Sequence, residues 1–191
     1  ESLEKETGII YSNSPTQTVG YPPVSELKKV PHPHPLLSLD KTKQVTDLCR
    51  FCGSHAALLM LKLDGLTVKL TYENGRLKEA ATRGDGETGE EITHNIPAFE
   101  NVPLTIAYKE RLVVTGEAFI HKKDFERLNT TLRDKNGEPY KNARNLAAGS
   151  VRSLDPENCK GRCVTFLPFN VLEGLDEGEN SNSREERLYQ L

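Results

Sequence analysis

A lysine and an aspartate two positions apart, Lys62 and Asp64, interrupt the apolar stretch LLMLKLDGLTVKLTYENGRL at residues 58–77. The residues before Gly65 predict a buried strand, on which Met60, Lys62 and Asp64 would share one face. A lysine is a nucleophile only when neutral, and nearby cations favour that form while a carboxylate disfavours it. The pair therefore indicates either a half-exposed strand face or a lysine that attacks a phosphate-bearing substrate, where magnesium or Arg83 would offset Asp64.

Two arginines mark a second candidate site. Arg144 and Arg152 are eight positions apart in NARNLAAGSVRSL, so on a helix they project from roughly the same side. They flank Ala148 and Gly149, where another backbone could approach closely. The pair predicts a phosphate or DNA-backbone contact, and the alternative is a solvated helix whose arginines form salt bridges.

Glu117 is the third candidate, because it lies in the apolar stretch RLVVTGEAFI. A carboxylate in a strand of that kind needs a partner wherever it is buried.

The four cysteines form two pairs, Cys49–Cys52 and Cys159–Cys163, that are far apart in the sequence. A four-thiolate zinc site is conceivable, but the second spacing is unusual for one. We favour Cys49 and Cys52 as small core residues on a helix, and the cysteine usage predicts a reducing, cytoplasmic setting.

Length and charge restrict the class of protein. A chain of 191 residues suits one domain, and its net charge of -3 argues against a free-standing polyanion-binding domain. The sequence has no apolar run near the ~18 residues that span a membrane and no signal-peptide pattern, so no membrane partner is expected. It does not begin with methionine, which predicts either an excerpt of a longer protein or a short paralogue.

Hairpin and helix patterns follow one another along the chain and predict an α+β fold with antiparallel sheets and packed helices. Residues 14–40 contain six prolines and predict coil or an edge strand. The other predicted elements are a helix at 41–53, strands on both sides of a bend at Gly65, a hairpin at Asn74–Gly75, a short helix begun by a Thr88–Glu91 capping box and ending before Pro97, a strand at 111–120, helices at 122–132 and 143–154, and a strand at 163–173 interrupted by Pro168.

Seven segments, in order, carry a resemblance to a known family: SPTQTVG, PLLSLDK, LKLDGLTVKLTYENGRLKEAATRGDGETGEEIT, NVPL, TGEAFI, FERLN and NARNLAAGSVRSLDP. Together they resemble the adenylation domain of bacterial NAD-dependent DNA ligases, from about residue 14 to 169. ATP-dependent ligases and capping enzymes share Lys-x-Asp-Gly, but SPTQTVG and NARNLAAGS belong to the NAD-using branch.

The resemblance implies the nucleotidyltransferase fold of DNA ligases and mRNA capping enzymes, ATP-grasp-like and here incomplete. Residues 1–13 would be a remnant of the nicotinamide-recognising subdomain or a linker. Residues 14–175 would form the adenylation core, and 176–191 a polar tail. A monomer is expected, with NAD and Mg²⁺ as cofactors, NAD or AMP as ligand, and nicked double-stranded DNA as the partner of the full-length protein in replication and repair.

The resemblance also implies roles for the site residues. Lys62 would attack the α-phosphate of NAD and form lysyl-AMP, with Asp64 orienting it; AMP would then activate the 5′-phosphate of a nick for sealing by the 3′-hydroxyl. The remaining matches are a nucleotide-lining pair, a nucleotide-contacting arginine, a ribose-binding glutamate and two phosphate-contacting arginines: Ser38, Leu39, Arg83, Glu117, Arg144 and Arg152.

Two departures from the family pattern weaken the expected activity. Met60 stands where the family usually has a glutamate that accepts a hydrogen bond from the adenine amino group, so adenine binding should be weaker by about 1–2 kcal/mol. The family's later lysine-bearing motifs and its further domains are also absent from the sequence. We therefore expect that this chain alone does not ligate, and a degenerate nucleotide- or protein-binding domain is the alternative.

Overall fold

The computed structural model describes residues 26–36, 40–175, 184–189 and 191. The strands are β1 (Lys29–Pro31), β2 (Leu66–Glu73), β3 (Arg76–Thr82), β4 (Thr88–Glu90), β5 (Leu112–Ile120) and β6 (Val164–Glu173). The α-helices are α1 (Val45–Cys52), α2 (Lys122–Leu128), α3 (Ala143–Val151) and α4 (Arg184–Tyr189), and two 3-10 helices cover Thr93–Ala98 and Pro156–Asn158.

Four strands form one antiparallel sheet in the order β3-β2-β5-β6, and β1 pairs with β4 in a separate two-stranded ribbon. This arrangement confirms an α+β fold with antiparallel sheets. β2 and β3 form a hairpin, because Asn74 and Gly75 both adopt positive φ and make the predicted tight turn between them.

The core lies on one face of the sheet. Apolar side chains of alternate positions in β2 and β5 pack against the inner side of α3 and the segment after β4. Its best buried members include Val68, Leu70, Ile92, Ile96, Leu146 and Val151.

The opposite face of β2 and β5 is polar and still buried. Lys69 is only 4% exposed, and its ammonium pairs with Glu79 on the neighbouring strand at 3.0 Å. Thr71 and Thr115 are buried on the same two strands. This polar face leads to Glu117 and therefore connects the sheet to the candidate site.

The prediction of a strand before Gly65 is wrong. Residues 56–64 are coil, and side chains that were expected in the core are exposed, including Leu59 at 96% and Leu61 at 82%. A strand forms only against a hydrogen-bonded neighbour, and the described strands pair with β2 from Leu66 onward. Lys62 and Asp64 therefore stand on a loop rather than on one face of a strand.

Three further predictions need correction. The Thr88–Glu91 capping box does not start a helix, because Thr88–Glu90 is a strand and a 3-10 helix follows at Thr93 with Pro97 inside it. The predicted helix 122–132 ends at Leu128. β6 continues through Pro168, which a register shift in its pairing with β5 accommodates.

The cysteines also differ from expectation in part. The predicted helix near residues 41–53 exists and ends at Gly53, but none of its residues is buried, so Cys49 is exposed rather than part of the core. Cys159 is the buried thiol, and burial raises its pKa to about 11. No group of three or more potential metal-binding side chains occurs among the described residues.

Candidate active site

A cleft of about 440 Å³ opens where β2 begins and β3 ends. Its charged lining is predominantly basic: five cationic side chains, Lys29, Lys62, Arg83, Arg144 and Arg152, face three acidic ones, Asp85, Glu90 and Glu117. A cleft with excess positive charge favours an anionic ligand, and arginines are suited to phosphate oxygens.

Glu117 fixes the end of the lysine loop, residues 56–64, where the chain enters β2. It is 7% exposed on β5, and its two carboxylate oxygens accept hydrogen bonds from the Gly65 backbone N–H at 2.9 Å and the Thr67 hydroxyl at 3.0 Å. The backbone is so close here that a Cβ on Gly65 would lie 2.1 Å from the Ala118 carbonyl oxygen. Glycine at position 65 is therefore required for the approach that places Lys62 in the cleft.

Lys62 is exposed and its ammonium donates to the neighbouring Leu63 carbonyl at 2.9 Å. Asp64 accepts a hydrogen bond from Arg144 at 2.9 Å, across 80 positions of sequence. This ion pair ties the lysine loop to the first turn of α3. It leaves the Asp64 carboxylate bound to a guanidinium rather than to the Lys62 amine.

Arg152 follows the last residue of α3 and is held by Glu90 at the end of β4. Its Nε and Nη2 donate to the two carboxylate oxygens of Glu90 at 2.5 and 2.7 Å, a bidentate pair. Hydrogen bonding to Glu90 raises the pKa of the Arg152 guanidinium. Arg144 and Arg152 therefore both form salt bridges, as the alternative interpretation of this pair predicts. Both arginines also line the cleft.

Arg83 leaves the sheet at the end of β3, where its own N–H donates to the Thr67 carbonyl at 3.0 Å. The loop beyond it turns tightly because Asp85 accepts from the backbone N–H groups of Glu87 and Thr88 at 3.0 and 2.7 Å. These bonds hold the pKa of the Asp85 carboxyl below its usual value. The loop therefore presents Arg83 in a fixed place at the cleft wall.

The structure brings most of the predicted site residues together. The cleft is lined by residues from the lysine loop, the segment after β3, β5, α3 and the position after α3: Lys62, Arg83, Glu117, Arg144 and Arg152. Asp64 is not part of the cleft lining, but it binds Arg144, which is. Met60 is 38% exposed on the loop and does not line the cleft, while Ser38 and Leu39 lie outside the described residues.

Three residues near this site are not indicated by any sequence pattern. Lys29 of the edge strand β1 lines the cleft, and only pairing of β1 with β4 brings it there. His32 and Asn95 are buried behind the cleft and contact backbone carbonyls next to Arg83 and Arg152. No motif singles them out, because their partners are 50 to 58 positions away.

The sequence matches a known protein family over most of its length. Residues 24–191 match the family described as the NAD-dependent DNA ligase adenylation domain. The chain belongs to this family.

Its relatives include proteins named DNA ligase. The adenylation domain is 48% identical over 186 residues to the DNA ligase of Ruminiclostridium cellulolyticum and 47% identical over 177 residues to that of Lachnoclostridium phytofermentans. These alignments cover 97% and 93% of the chain but only 28% and 27% of the two relatives. The chain thus spans somewhat over a quarter of the length of these ligases.

The adenylation domain has no helix, within its described residues, of the length and apolarity needed to cross a bilayer.

Proposed function

We propose that this adenylation domain performs the first step of NAD-dependent ligation, with Lys62 as the nucleophile. The neutral Lys62 amine attacks the α-phosphorus of NAD. An N–P bond forms as the P–O bond to nicotinamide mononucleotide breaks, and the amine loses its proton to solvent. In the whole ligase the AMP then passes to the 5′-phosphate of a DNA nick, and the 3′-hydroxyl displaces it.

One observation carries the proposal: Lys62 lines a cleft together with four other cationic side chains. The other cationic side chains attract the phosphates of the substrate. Family membership supplies the identity of those phosphates as NAD. The Lys-x-Asp-Gly motif and family membership support the choice of Lys62 as the nucleophile.

The other residues are assigned supporting roles. Arg83, Arg144 and Arg152 would contact phosphate oxygens, while Glu117 supports the loop through Gly65 and offers its remaining acceptor capacity to the ribose. Met60 is proposed for the adenine side, and Ser38 and Leu39 for the lining of the nucleotide site. Binding exchanges the Asp64 partner of Arg144 for phosphate, so we expect modest affinity, while Arg152 keeps Glu90 on its Nε and Nη2 and offers its Nη1 donors to the phosphate.

Magnesium would arrive with the substrate phosphates. The described carboxylates at the cleft already have partners, since Glu90 holds Arg152, Glu117 holds Gly65 and Thr67, and Asp85 holds its own loop. These residues do not fit a magnesium site made of protein alone, and we assign no step to the metal.

Intact-protein mass spectrometry tests the proposal. The chain is incubated with NAD and magnesium, with ATP in parallel, and compared with Lys62→Ala and with Lys29→Ala, which removes the other cleft lysine. A one-AMP adduct that forms with NAD, persists in Lys29→Ala and disappears in Lys62→Ala is the expected result. An adduct that survives in Lys62→Ala contradicts the assignment.

A non-catalytic nucleotide-binding domain is the second candidate. The Lys62 ammonium donates to its own loop, and Asp64 and Glu90 occupy two of the cleft arginines. Saturable binding of NAD by the folded wild-type chain, without any adduct after long incubation, would favour this candidate.

A further inference from the structure

A buried asparagine, Asn95, contacts the backbone on both sides of Arg152. Asn95 lies in the 3-10 helix Thr93–Ala98 and has no exposed surface. Its Nδ2 group donates one hydrogen bond to the Val151 carbonyl at 2.9 Å and another to the Ser153 carbonyl at 2.8 Å. The two acceptors are the residues immediately before and after Arg152.

The Val151 carbonyl needs such a donor. The last carbonyls of a helix have no partner within it, and α3 ends at Val151. Two carbonyl acceptors can be served only by the NH₂ side of the amide, so the orientation of Asn95 is determined by its neighbours. Its Oδ1 atom is buried and lacks a hydrogen-bond partner among the described residues, a cost that the two donated bonds must offset.

The same segment also holds the other end of Arg152. Glu90, five positions before Asn95, binds the guanidinium in a bidentate pair, while Asn95 fixes the backbone. The Arg152 N–H donates to the Ala148 carbonyl of α3 at 3.1 Å. His94 is a neighbour, with its Nε2 2.9 Å from the Ser153 oxygen. Arg152 is thus fixed from its backbone to its charged head before any ligand enters.

We infer that Asn95 is a positioning residue that sets Arg152 in the cleft for a nucleotide phosphate. The identity of the anion rests on the proposed function, but the positioning does not. Asn95 touches no ligand-facing surface and acts only through the backbone next to Arg152. Preorganisation of this kind increases affinity because less side-chain and backbone freedom is lost on binding.

The test compares the wild-type chain with Asn95→Leu, which keeps the size of the side chain but removes both donors. Asn101→Ala is the matched control, because the Asn101 amide also contacts a backbone, at Phe166 of β6, without adjoining a cleft arginine. The first measurement is the NMR signal of the arginine Nε–H groups, with the Arg152 signal assigned by its loss in Arg152→Lys. The second is the affinity for AMP, alone and in an Arg152→Ala background.

We expect Asn95→Leu to move the Arg152 signal toward that of an unbound arginine while the Arg144 signal stays in place. AMP affinity should fall about tenfold, and Asn95→Leu should cost no further affinity once Arg152 is alanine. Asn101→Ala should lower stability without either effect. If Asn95→Leu does not fold, Asn95→Ser, which keeps one donor, should give a smaller change in the same direction.

Three results would overturn the inference: an unchanged Arg152 signal with unchanged affinity, equal changes at Arg144 and Arg152, or a full additional loss in the Arg152→Ala background. If the wild-type chain binds no AMP, the proposed nucleotide site fails, and the Arg152 signal alone still decides whether Asn95 positions it.

Discussion

Replacing Glu117 with alanine should destabilise the domain by about 3 kcal/mol. Both oxygens of this buried carboxylate are used, one by the Gly65 N–H and one by the Thr67 hydroxyl. A hydrogen bond to a charged group contributes about 1.5–3 kcal/mol. The two do not add fully, because the part-buried Thr67 hydroxyl can turn to water, whereas the buried Gly65 N–H is left unpaired.

For a domain of this size, about 3 kcal/mol corresponds to a fall in Tm of about 6–12 °C. Glu117→Gln should cost only about 1 kcal/mol, because the amide oxygen can serve Gly65 and the NH₂ group can donate to the Thr67 oxygen. Thr67→Val, which removes one donor and keeps the carboxylate, is the matched control and should lie between the wild type and Glu117→Ala.

Urea unfolding measures the free energy of unfolding of the three variants. Amide hydrogen exchange at Gly65 reports on the hydrogen bond from Gly65 to Glu117. Exchange at Gly65 should accelerate in Glu117→Ala and stay slow in Thr67→Val. A loss below about 0.5 kcal/mol in Glu117→Ala, or slow exchange at Gly65 in that variant, would refute the claim that Glu117 holds the lysine loop.

Three further predictions concern the same fold. Gly65→Ala should separate the start of β2 from β5, because the new Cβ would lie 2.1 Å from the Ala118 oxygen. Faster amide hydrogen exchange at position 65, with unchanged protection in the β2–β3 hairpin, would show this, and slow exchange at position 65 would contradict it. Desolvation by burial, and then the charge of Lys69, lower the pKa of His32 in the folded state. The free energy of unfolding should therefore fall as pH drops below 6.5, because the unfolded chain binds the proton more readily. His32→Gln should flatten this part of the plot of urea midpoint against pH. Cys159 should resist alkylation at neutral pH while Cys49 reacts, and equal labelling rates of the two thiols would refute the burial of Cys159. The free energy of unfolding should decrease as pH rises above 9.0, because the Cys159 thiol ionises in the unfolded chain before it does in the folded one.

Local sequence determined those elements in which the hydrophobic pattern and the turn residues predict the same structure. The Asn74–Gly75 turn needs two residues at positive φ, and the flanking alternation specifies β2 and β3. The apolar run from Leu112 to Ile120 predicts β5 in the same way. Lys62 could be singled out as a candidate nucleophile from its motif and the family resemblance.

Tertiary structure alone decided the rest. The alternation at residues 58–64 predicts a strand, but strand formation depends on a neighbour, and that segment is coil here. The partners of the cleft arginines, Asp64 for Arg144 and Glu90 for Arg152, are 80 and 62 positions away. Asn95 has no recognisable motif, because its role lies in the two carbonyls that folding brings to it. Long-range pairing of this kind is set by how the sheet, α3 and the segment after β4 pack together, and no local pattern in the sequence records it.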